Sequence, residues 1–179
     1  MNPDLERWFA RRTRQSSDWS VAELRAAKRG RRVSVVLPAL NEEASVGPIV
    51  AAVRTLTDSE DPLVDELVVL DSGSTDRTRE VAAEAGARVV RCEQVLSDIE
   101  PVPGKGEVLW RSLAATTGDL VVFLDADLVD FDLGFVPALL GPLLTEPGVA
   151  LHPRPLLNLR REPTSALEHT PRPIGDQAA

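Results

Sequence analysis

The sequence is poor in cysteine and aromatic residues and lacks a long apolar run, and each scarcity excludes a class of protein. Cys92 is the single cysteine in 179 residues, so an internal disulfide is excluded and a reducing compartment is compatible. The sequence has neither an apolar run of about 18 residues nor a positively flanked apolar segment at its start. We therefore predict no membrane span and no signal peptide, and we expect a cytoplasmic protein.

Acidic residues outnumber basic ones, 28 to 20, which gives a formal net charge of −8. This charge argues against nucleic acid or an anionic membrane as the main partner. A chain this acidic needs a metal ion or a local basic residue to bind phosphate groups. The hydrophobic content of 43% is ordinary for a globular protein, and the length suffices for one domain with a core.

Strand and helix patterns alternate through most of the chain. A capping box at Ser20 and Glu23, with Gly30 as the stop, predicts a helix over residues 21–29. Further helices are predicted after a cap at Ser45, after residues 71–76 and from Gly104, and β-rich runs predict strands over residues 33–38, 66–70, 87–91 and 120–124. This order predicts an α/β fold with a doubly wound, mostly parallel sheet.

We divide the chain into an N-terminal arm (residues 1–17), an α/β domain (residues 18–151) and a tail (residues 152–179). The tail holds five prolines and four arginines without a helical or strand period, so we predict that it is disordered. Both histidines lie in it, and neither is assigned a role. Within the domain, Trp110 and Phe135 are expected to be core residues contributed by their helices.

The domain is organised around the apolar run at residues 120–124, which ends on Asp125 and Asp127. Such a run is typical of a strand buried on both faces of a parallel sheet, and ligands bind beyond the carboxyl ends of those strands. Two carboxylates this close repel each other unless a cation lies between them and the ligand. Oxygen ligands favour Mg²⁺ or Mn²⁺ shared with phosphates. The run therefore predicts a metal–diphosphate site.

Two more strand ends, at residues 38–43 and 71–76, are expected at the same edge of the sheet. Their peptide and carboxylate groups suit a uracil ring and a ribose, and Lys105 supplies a point charge for a phosphate or an anionic acceptor. Each motif alone also fits a purely structural role, as a helix cap or a strand–turn–helix connection. An Asp-x-Asp turn also occurs in phosphatases and Walker-B-like sites. Three such ends in succession favour one shared ligand site.

Four motifs together resemble the nucleotide-sugar glycosyltransferases of the GT-A (Rossmann-like) fold. They are VVLPALNEE at residues 35–43, LDSGSTD at residues 70–76, PGKGEVLWRSL at residues 103–113 and the Asp-x-Asp strand end. The third is similar to the glucosyl-3-phosphoglycerate synthase family, actinobacterial enzymes that begin methylglucose lipopolysaccharide synthesis. The resemblance covers about residues 19–151.

The resemblance implies a retaining transfer of glucose from UDP-glucose, or another NDP-glucose, to the 2-hydroxyl of 3-phosphoglycerate with Mg²⁺ or Mn²⁺. It is compatible with a homodimer. By motif, the residues facing the donor are Pro38, Ala39, Leu40, Glu42, Ser72, Lys105, Asp125 and Ala126, and the metal ligand is Asp127. Family members usually have serine at the position of Ala126, a contact that the backbone often makes.

Family chains are about twice as long, and their second half supplies the acceptor-phosphate site and a metal-ligating histidine. The resemblance therefore implies only the N-terminal, donor-binding half of such an enzyme. Three alternatives stay open at this point. The chain is a truncated fragment that binds nucleotide without turnover, a polyprenyl-phosphate glycosyltransferase, or a sugar nucleotidyltransferase with a similar crevice.

Overall fold

A computed structural model of the chain describes residues 4–7 and 18–146. The predicted tail lies outside the described residues, and the predicted arm overlaps them only at residues 4–7. None of the helices in the described part combines the length and apolar character that a membrane span requires. The elements are α1 (Val21–Lys28), β1 (Val33–Ala39), α2 (Val46–Arg54), β2 (Glu66–Asp71), α3 (Thr78–Glu84), β3 (Arg88–Arg91), a 3-10 turn (Cys92–Gln94), α4 (Lys105–Ala115), β4 (Leu120–Phe123) and α5 (Phe135–Thr145).

The four strands form one parallel sheet in the order β3-β2-β1-β4. β1 and β2 lie at its centre, and nearly all their residues are buried. Alternate residues of β1 face two apolar cores. Val35 and Leu37 join a core with side chains of α1, α2 and α5, whereas Val36 joins one with Val108 of α4. The predicted doubly wound α/β fold is therefore confirmed.

Within the described residues, β4 pairs only with β1 and forms an edge of the sheet. Val122 is buried, but Phe123 is 36% exposed, so the prediction of a strand buried on both faces is wrong. A continuous apolar run does not reveal whether a strand has a second neighbour in the sheet. The strands that are buried on both faces are β1 and β2.

Phe123, Phe135 and Leu139 line a cavity of about 310 Å³ beside the β4 edge of the sheet. Phe135 and Trp110 are 45% and 38% exposed, so the prediction that they are core residues is wrong.

Pro38 limits how far β4 pairs with β1. The Leu124 N–H donates to the Val36 carbonyl at 3.0 Å, and every second residue of a parallel strand faces the same neighbour. Pro38 is the next β1 residue to face β4, and it has no N–H for the Leu124 carbonyl. The ladder therefore ends at Leu124, immediately before Asp125.

Candidate active site

The carboxyl ends of β1, β2 and β4 open onto one cavity of about 580 Å³. Parallel strands deliver these ends to a common edge, as the sequence predicts. All nine predicted site residues line the cavity: Pro38, Ala39, Leu40, Glu42, Ser72, Lys105, Asp125, Ala126 and Asp127. The structure thus brings the predicted set together, while the role of each residue stays a prediction.

One side of the cavity, here called the β1–β2 rim, consists of residues 39–45 and 71–78. Hydrogen bonds join its two segments directly. The Ser72 N–H and hydroxyl both donate to the Ala39 carbonyl, at 3.0 and 3.1 Å. Six more hydrogen bonds cross between the segments. Among them are those from Asn41 N–H to Ser74 Oγ (2.9 Å), from Glu42 N–H to Thr78 Oγ1 (2.7 Å) and from Thr75 N–H to Asn41 Oδ1 (2.8 Å). The rim is a cross-linked unit.

The Asp71 carboxylate lies at the base of the β1–β2 rim, and its side chain is 1% exposed. It accepts hydrogen bonds from the Gly73 and Ser74 amides at 3.2 to 3.3 Å and from Arg79 Nη1 at 3.1 Å. Arg79 also donates to the Ser74 carbonyl at 3.1 Å. Both Asp71 and Arg79 line the cavity, and neither is among the predicted site residues. The place of Asp71 at a strand end, before a Ser-Gly turn, is the signal that could have found it.

Ser45 was predicted to cap α2, but its hydroxyl makes no cap bond to the helix. It donates instead to the Glu42 carboxylate at 3.0 Å, so this prediction is wrong in its mechanism. Ser45 itself has helical backbone angles (φ −112°, ψ −33°), whereas a capping residue has an extended backbone that aims its side chain at the first free amides. The contact orients the Glu42 carboxylate at the cavity wall.

The opposite side, here called the β4 rim, consists of residues 124–127 and Lys105. The Lys105 ammonium donates to the Asp125 carboxylate at 2.5 Å, and the two side chains are 62% and 51% exposed. This hydrogen bond, and the negative charges of Asp125 and Asp127, raise the pKa of Lys105. Ala126 is buried. Lys105 is the first residue of α4 and follows Gly104, whose φ of 132° favours glycine.

The β4 rim fits a divalent cation that is shared with a ligand. Among the described residues, Asp127 has no hydrogen bond or ion pair, so its carboxylate oxygens are available for coordination. No cluster of three or more histidine, cysteine, aspartate or glutamate side chains with metal-site geometry occurs in this part of the chain. Mg²⁺ and Mn²⁺ sites are commonly completed by waters and substrate phosphates. The donor set therefore suits a metal–diphosphate complex better than a metal held by protein alone.

The third wall of the cavity comes from the loop between β3 and α4, a segment whose sequence shows neither a helical nor a strand period. Pro101, Val102 and Pro103 line it, together with Cys92 at the start of the loop. Burial raises the pKa of the Cys92 thiol, as expected of a cysteine that packs as a small apolar residue. The loop has no motif of regular period, so its place at the cavity could not be predicted.

A parallel sheet whose strand ends share a cavity with an Asp-x-Asp turn is the arrangement expected of a nucleotide-sugar-binding domain. The chain belongs to glycosyl transferase family 2, whose sequence profile matches residues 34–158. Its similarity to glucosyl-3-phosphoglycerate synthases is high. It is 59% identical over 145 residues to the enzyme of Mycolicibacterium smegmatis, in a match covering 81% of this chain and 47% of that protein.

Two crystal structures of glucosyl-3-phosphoglycerate synthase from Mycobacterium tuberculosis show the same fold. Each has a TM-score of 0.69 and 58% identity and covers 73% of this chain, with 46% and 45% of the solved chains matched. One is a complex with Mn²⁺, UDP and glucosyl-3-phosphoglycerate, and the other with Mn²⁺, UDP-glucose and phosphoglyceric acid. The predicted GT-A fold is confirmed, and the chain spans about half the length of these relatives.

Proposed function

We propose that this chain binds UDP-glucose in the 580 Å³ cavity as the donor-binding part of a glucosyl-3-phosphoglycerate synthase. One observation carries the proposal: nine residues from three strand ends and one helix start, selected by motif, line a single cavity. The relatives support it because their complexes hold UDP or UDP-glucose with Mn²⁺.

In this proposal the β1–β2 rim holds the uridine. Pro38, Ala39 and Leu40 line the cavity at the end of β1 and form the floor under the uridine. The Ser72 hydroxyl hydrogen is used by the Ala39 carbonyl, so its lone pairs accept hydrogen bonds from the ligand. The Glu42 carboxylate, oriented by Ser45, accepts hydrogen bonds from ribose hydroxyls. Such contacts need little rearrangement because the rim is already cross-linked.

The β4 rim holds the diphosphate. Asp127 is the proposed metal ligand, Asp125 and the backbone of Ala126 complete the turn, and the Lys105 ammonium adds positive charge toward the phosphates. A bound Mg²⁺ or Mn²⁺ supplies further positive charge where the departing UDP gains negative charge. Asp125 holds Lys105 at this end of the cavity while no phosphate is present.

We further propose that the glucose passes to the 2-hydroxyl of 3-phosphoglycerate and keeps its anomeric configuration. The product glucosyl-3-phosphoglycerate in a complex of the M. tuberculosis enzyme supports the acceptor. A second candidate is nucleotide binding without turnover. It is favoured by the donor set itself, since the described residues contain no group of three or more histidine, cysteine, aspartate or glutamate side chains that could hold a metal ion.

Titration calorimetry of the full chain with UDP, with and without Mn²⁺, tests the binding proposal. We expect UDP affinity to rise at least about tenfold with Mn²⁺ and to fall again with chelator, with GDP as the control nucleotide. Incubation with UDP-glucose and 3-phosphoglycerate, followed by NMR of the anomeric proton, then tests transfer and retention. Binding without product selects the second candidate, and no binding of UDP with Mn²⁺ contradicts both.

A cytoplasmic location and a homodimer stay predictions from the sequence. Cell fractionation tests the first, and light scattering of the purified chain tests the second. A monomer in light scattering would remove the homodimer without affecting the binding proposal, since every proposed donor contact lies within one chain.

A further inference from the structure

Arg111, on α4, is the largest fully buried side chain in the described part of the protein. Its Nε donates to the Glu107 carboxylate at 2.7 Å, and its Nη2 donates to the Ile99 carbonyl at 2.6 Å. Its Nη1 donates to the Leu96 carbonyl at 3.2 Å and also to the Val95 carbonyl. A buried guanidinium is tolerated only when its donors are satisfied, so these four contacts account for its position.

The three carbonyl partners belong to one stretch of the β3–α4 loop, residues 95–99. Leu96 within it has a φ of 54°, in the left-handed region that residues other than glycine rarely adopt. Arg111 binds the carbonyls of Val95 and of Leu96 itself, on both sides of that strained backbone. The guanidinium therefore holds the loop in a conformation that its backbone does not favour alone.

The same loop continues into residues 101–104, which line the cavity, and then into Lys105. Within the described part of the chain, no hydrogen bond joins residues 100–103 to the rest of the protein. Val102 is 65% exposed, so burial does not hold this stretch either. Its position depends on its two ends, which are residues 95–99 and α4. Val95 and Val108 of α4 share an apolar core, and the hydrogen bonds of Arg111 add a polar link between the same two ends.

We propose that Arg111 is a positioning residue for donor binding, which fixes the loop wall of the cavity and thereby the place of Lys105 at the diphosphate end. The proposal deepens the proposed function and rests on it for the identity of the ligand. The ordering of the loop by Arg111 is independent of any ligand. The two parts can therefore be tested separately.

The first experiment is hydrogen exchange of the full chain without nucleotide, comparing the parent with Arg111→Met. Methionine keeps most of the buried volume but has no donors, so we expect exchange of residues 95–104 to accelerate at least about tenfold while β1 and β2 stay protected. Arg54→Met is the matched control. Arg54 also pairs with a carboxylate four residues away, Asp58, and donates to the Gly86 carbonyl, but it lies outside the cavity.

The second experiment is a double-mutant cycle on UDP binding in the presence of Mn²⁺. Arg111→Met and Lys105→Ala are each expected to weaken binding about tenfold, and the double variant by much less than the product of the two. This coupling is expected because Arg111 acts on UDP through the position of Lys105. A purely structural role for Arg111 gives independent effects that multiply.

Unchanged exchange at residues 95–104 overturns the ordering of the loop, and multiplicative effects on UDP binding overturn the positioning of Lys105. If Arg111→Met does not fold, Arg111→Lys replaces it in both experiments, because lysine keeps the charge but cannot reach the separate carbonyls with a planar fork. If the parent itself does not bind UDP with Mn²⁺, both the proposed function and the positioning of Lys105 are contradicted. Hydrogen exchange still tests whether Arg111 orders the loop.

Discussion

The β1–β2 rim and the β4 rim face the same cavity but differ in how much of their geometry is fixed before a ligand arrives. In the β1–β2 rim the buried carboxylate, Asp71, accepts hydrogen bonds from two amides and Arg79. In the β4 rim Asp125 is half exposed with one lysine partner, and Asp127 has no hydrogen bond or ion pair among the described residues. The buried carboxylate of the first rim is satisfied by protein, whereas the two carboxylates of the second are exposed to a ligand.

This difference separates stability from binding. A carboxylate that satisfies buried amides and a cation contributes to folding, so its loss lowers the free energy of unfolding. Exposed carboxylates held close together repel each other mildly in the folded state, and their loss has little effect on folding. Their favourable contribution comes only when a cation binds between them and the diphosphate. The following substitutions break or sharpen the contrast.

The largest effect is expected for Asp127→Ala, in the β4 rim. UDP binding in the presence of Mn²⁺ should weaken about 100-fold, equivalent to about 2.7 kcal/mol, while the free energy of unfolding stays within about 0.5 kcal/mol of the parent. Calorimetry and urea unfolding measure the two quantities. Asp61→Ala is the control, since Asp61 is exposed and lies outside the cavity. Parent-like binding by Asp127→Ala means that the metal assignment is wrong.

Asp71→Asn, in the β1–β2 rim, should lower the free energy of unfolding by about 2 kcal/mol, because the amide leaves Arg79 without its counter-charge in a largely buried site. Urea unfolding measures this loss. The control is Asp58→Asn, which removes the exposed pair with Arg54 and should cost less than about 0.5 kcal/mol. Equal losses in the two variants would show that burial does not increase the contribution of Asp71 to stability.

Asn41→Gly tests the cross-links of the β1–β2 rim without changing its backbone. Asn41 has a φ of 58°, which glycine adopts without strain, so the variant loses the hydrogen bonds that Asn41 Oδ1 accepts from the Thr75 amide and hydroxyl. We expect a loss of about 1 kcal/mol in the free energy of unfolding. Asn41→Ala should lose about 1 kcal/mol more because its backbone is strained there. Thermal unfolding of the three proteins separates the two contributions, and an alanine variant as stable as the glycine variant contradicts the strain.

The smallest effect on folding is expected for Lys105→Ala. The pair that it forms with Asp125 is more than half exposed on both sides, and exposed ion pairs contribute about 0–1 kcal/mol. The free energy of unfolding, measured in urea, should therefore change by less than about 0.5 kcal/mol. A larger loss in the free energy of unfolding would show that the β4 rim, like the β1–β2 rim, contributes to the stability of the fold.

Much of the fold was predictable because it depends on local patterns. The capping box of Ser20 and Glu23 forms as expected, with the Glu23 amide donating to Ser20 Oγ at 3.2 Å, and Gly86, with a φ of 100°, follows the end of α3. The convergence of three strand ends followed from parallel topology alone. The alternation of elements was enough to deduce that topology.

The rest depends on partners far apart in the sequence, which no local pattern reveals. The edge position of β4 depends on which strand lies beside it, and the burial of Asp71 depends on Arg79 folding back from α3. Arg111 lies inside a recognised motif, but its partners lie in a loop without a regular period. The nine predicted site residues were found from strand-end motifs and from resemblance, and the strand-end place of Asp71 was visible in the sequence, whereas Arg79 and Arg111 required coordinates.

Pro38, in β1, determines where the neighbouring strand β4 ends, which matters for any redesign of this domain. Because Pro38 has no N–H to donate to the Leu124 carbonyl, β4 stops pairing with β1 at Leu124. The acidic turn begins at the next residue. Restoring an amide, as in Pro38→Val, would let β4 pair with β1 through Asp125, which would place the Asp125 backbone in the sheet and its carboxylate on one face. The absence of one hydrogen atom in the central strand thus sets where the neighbouring strand stops and where the charges emerge.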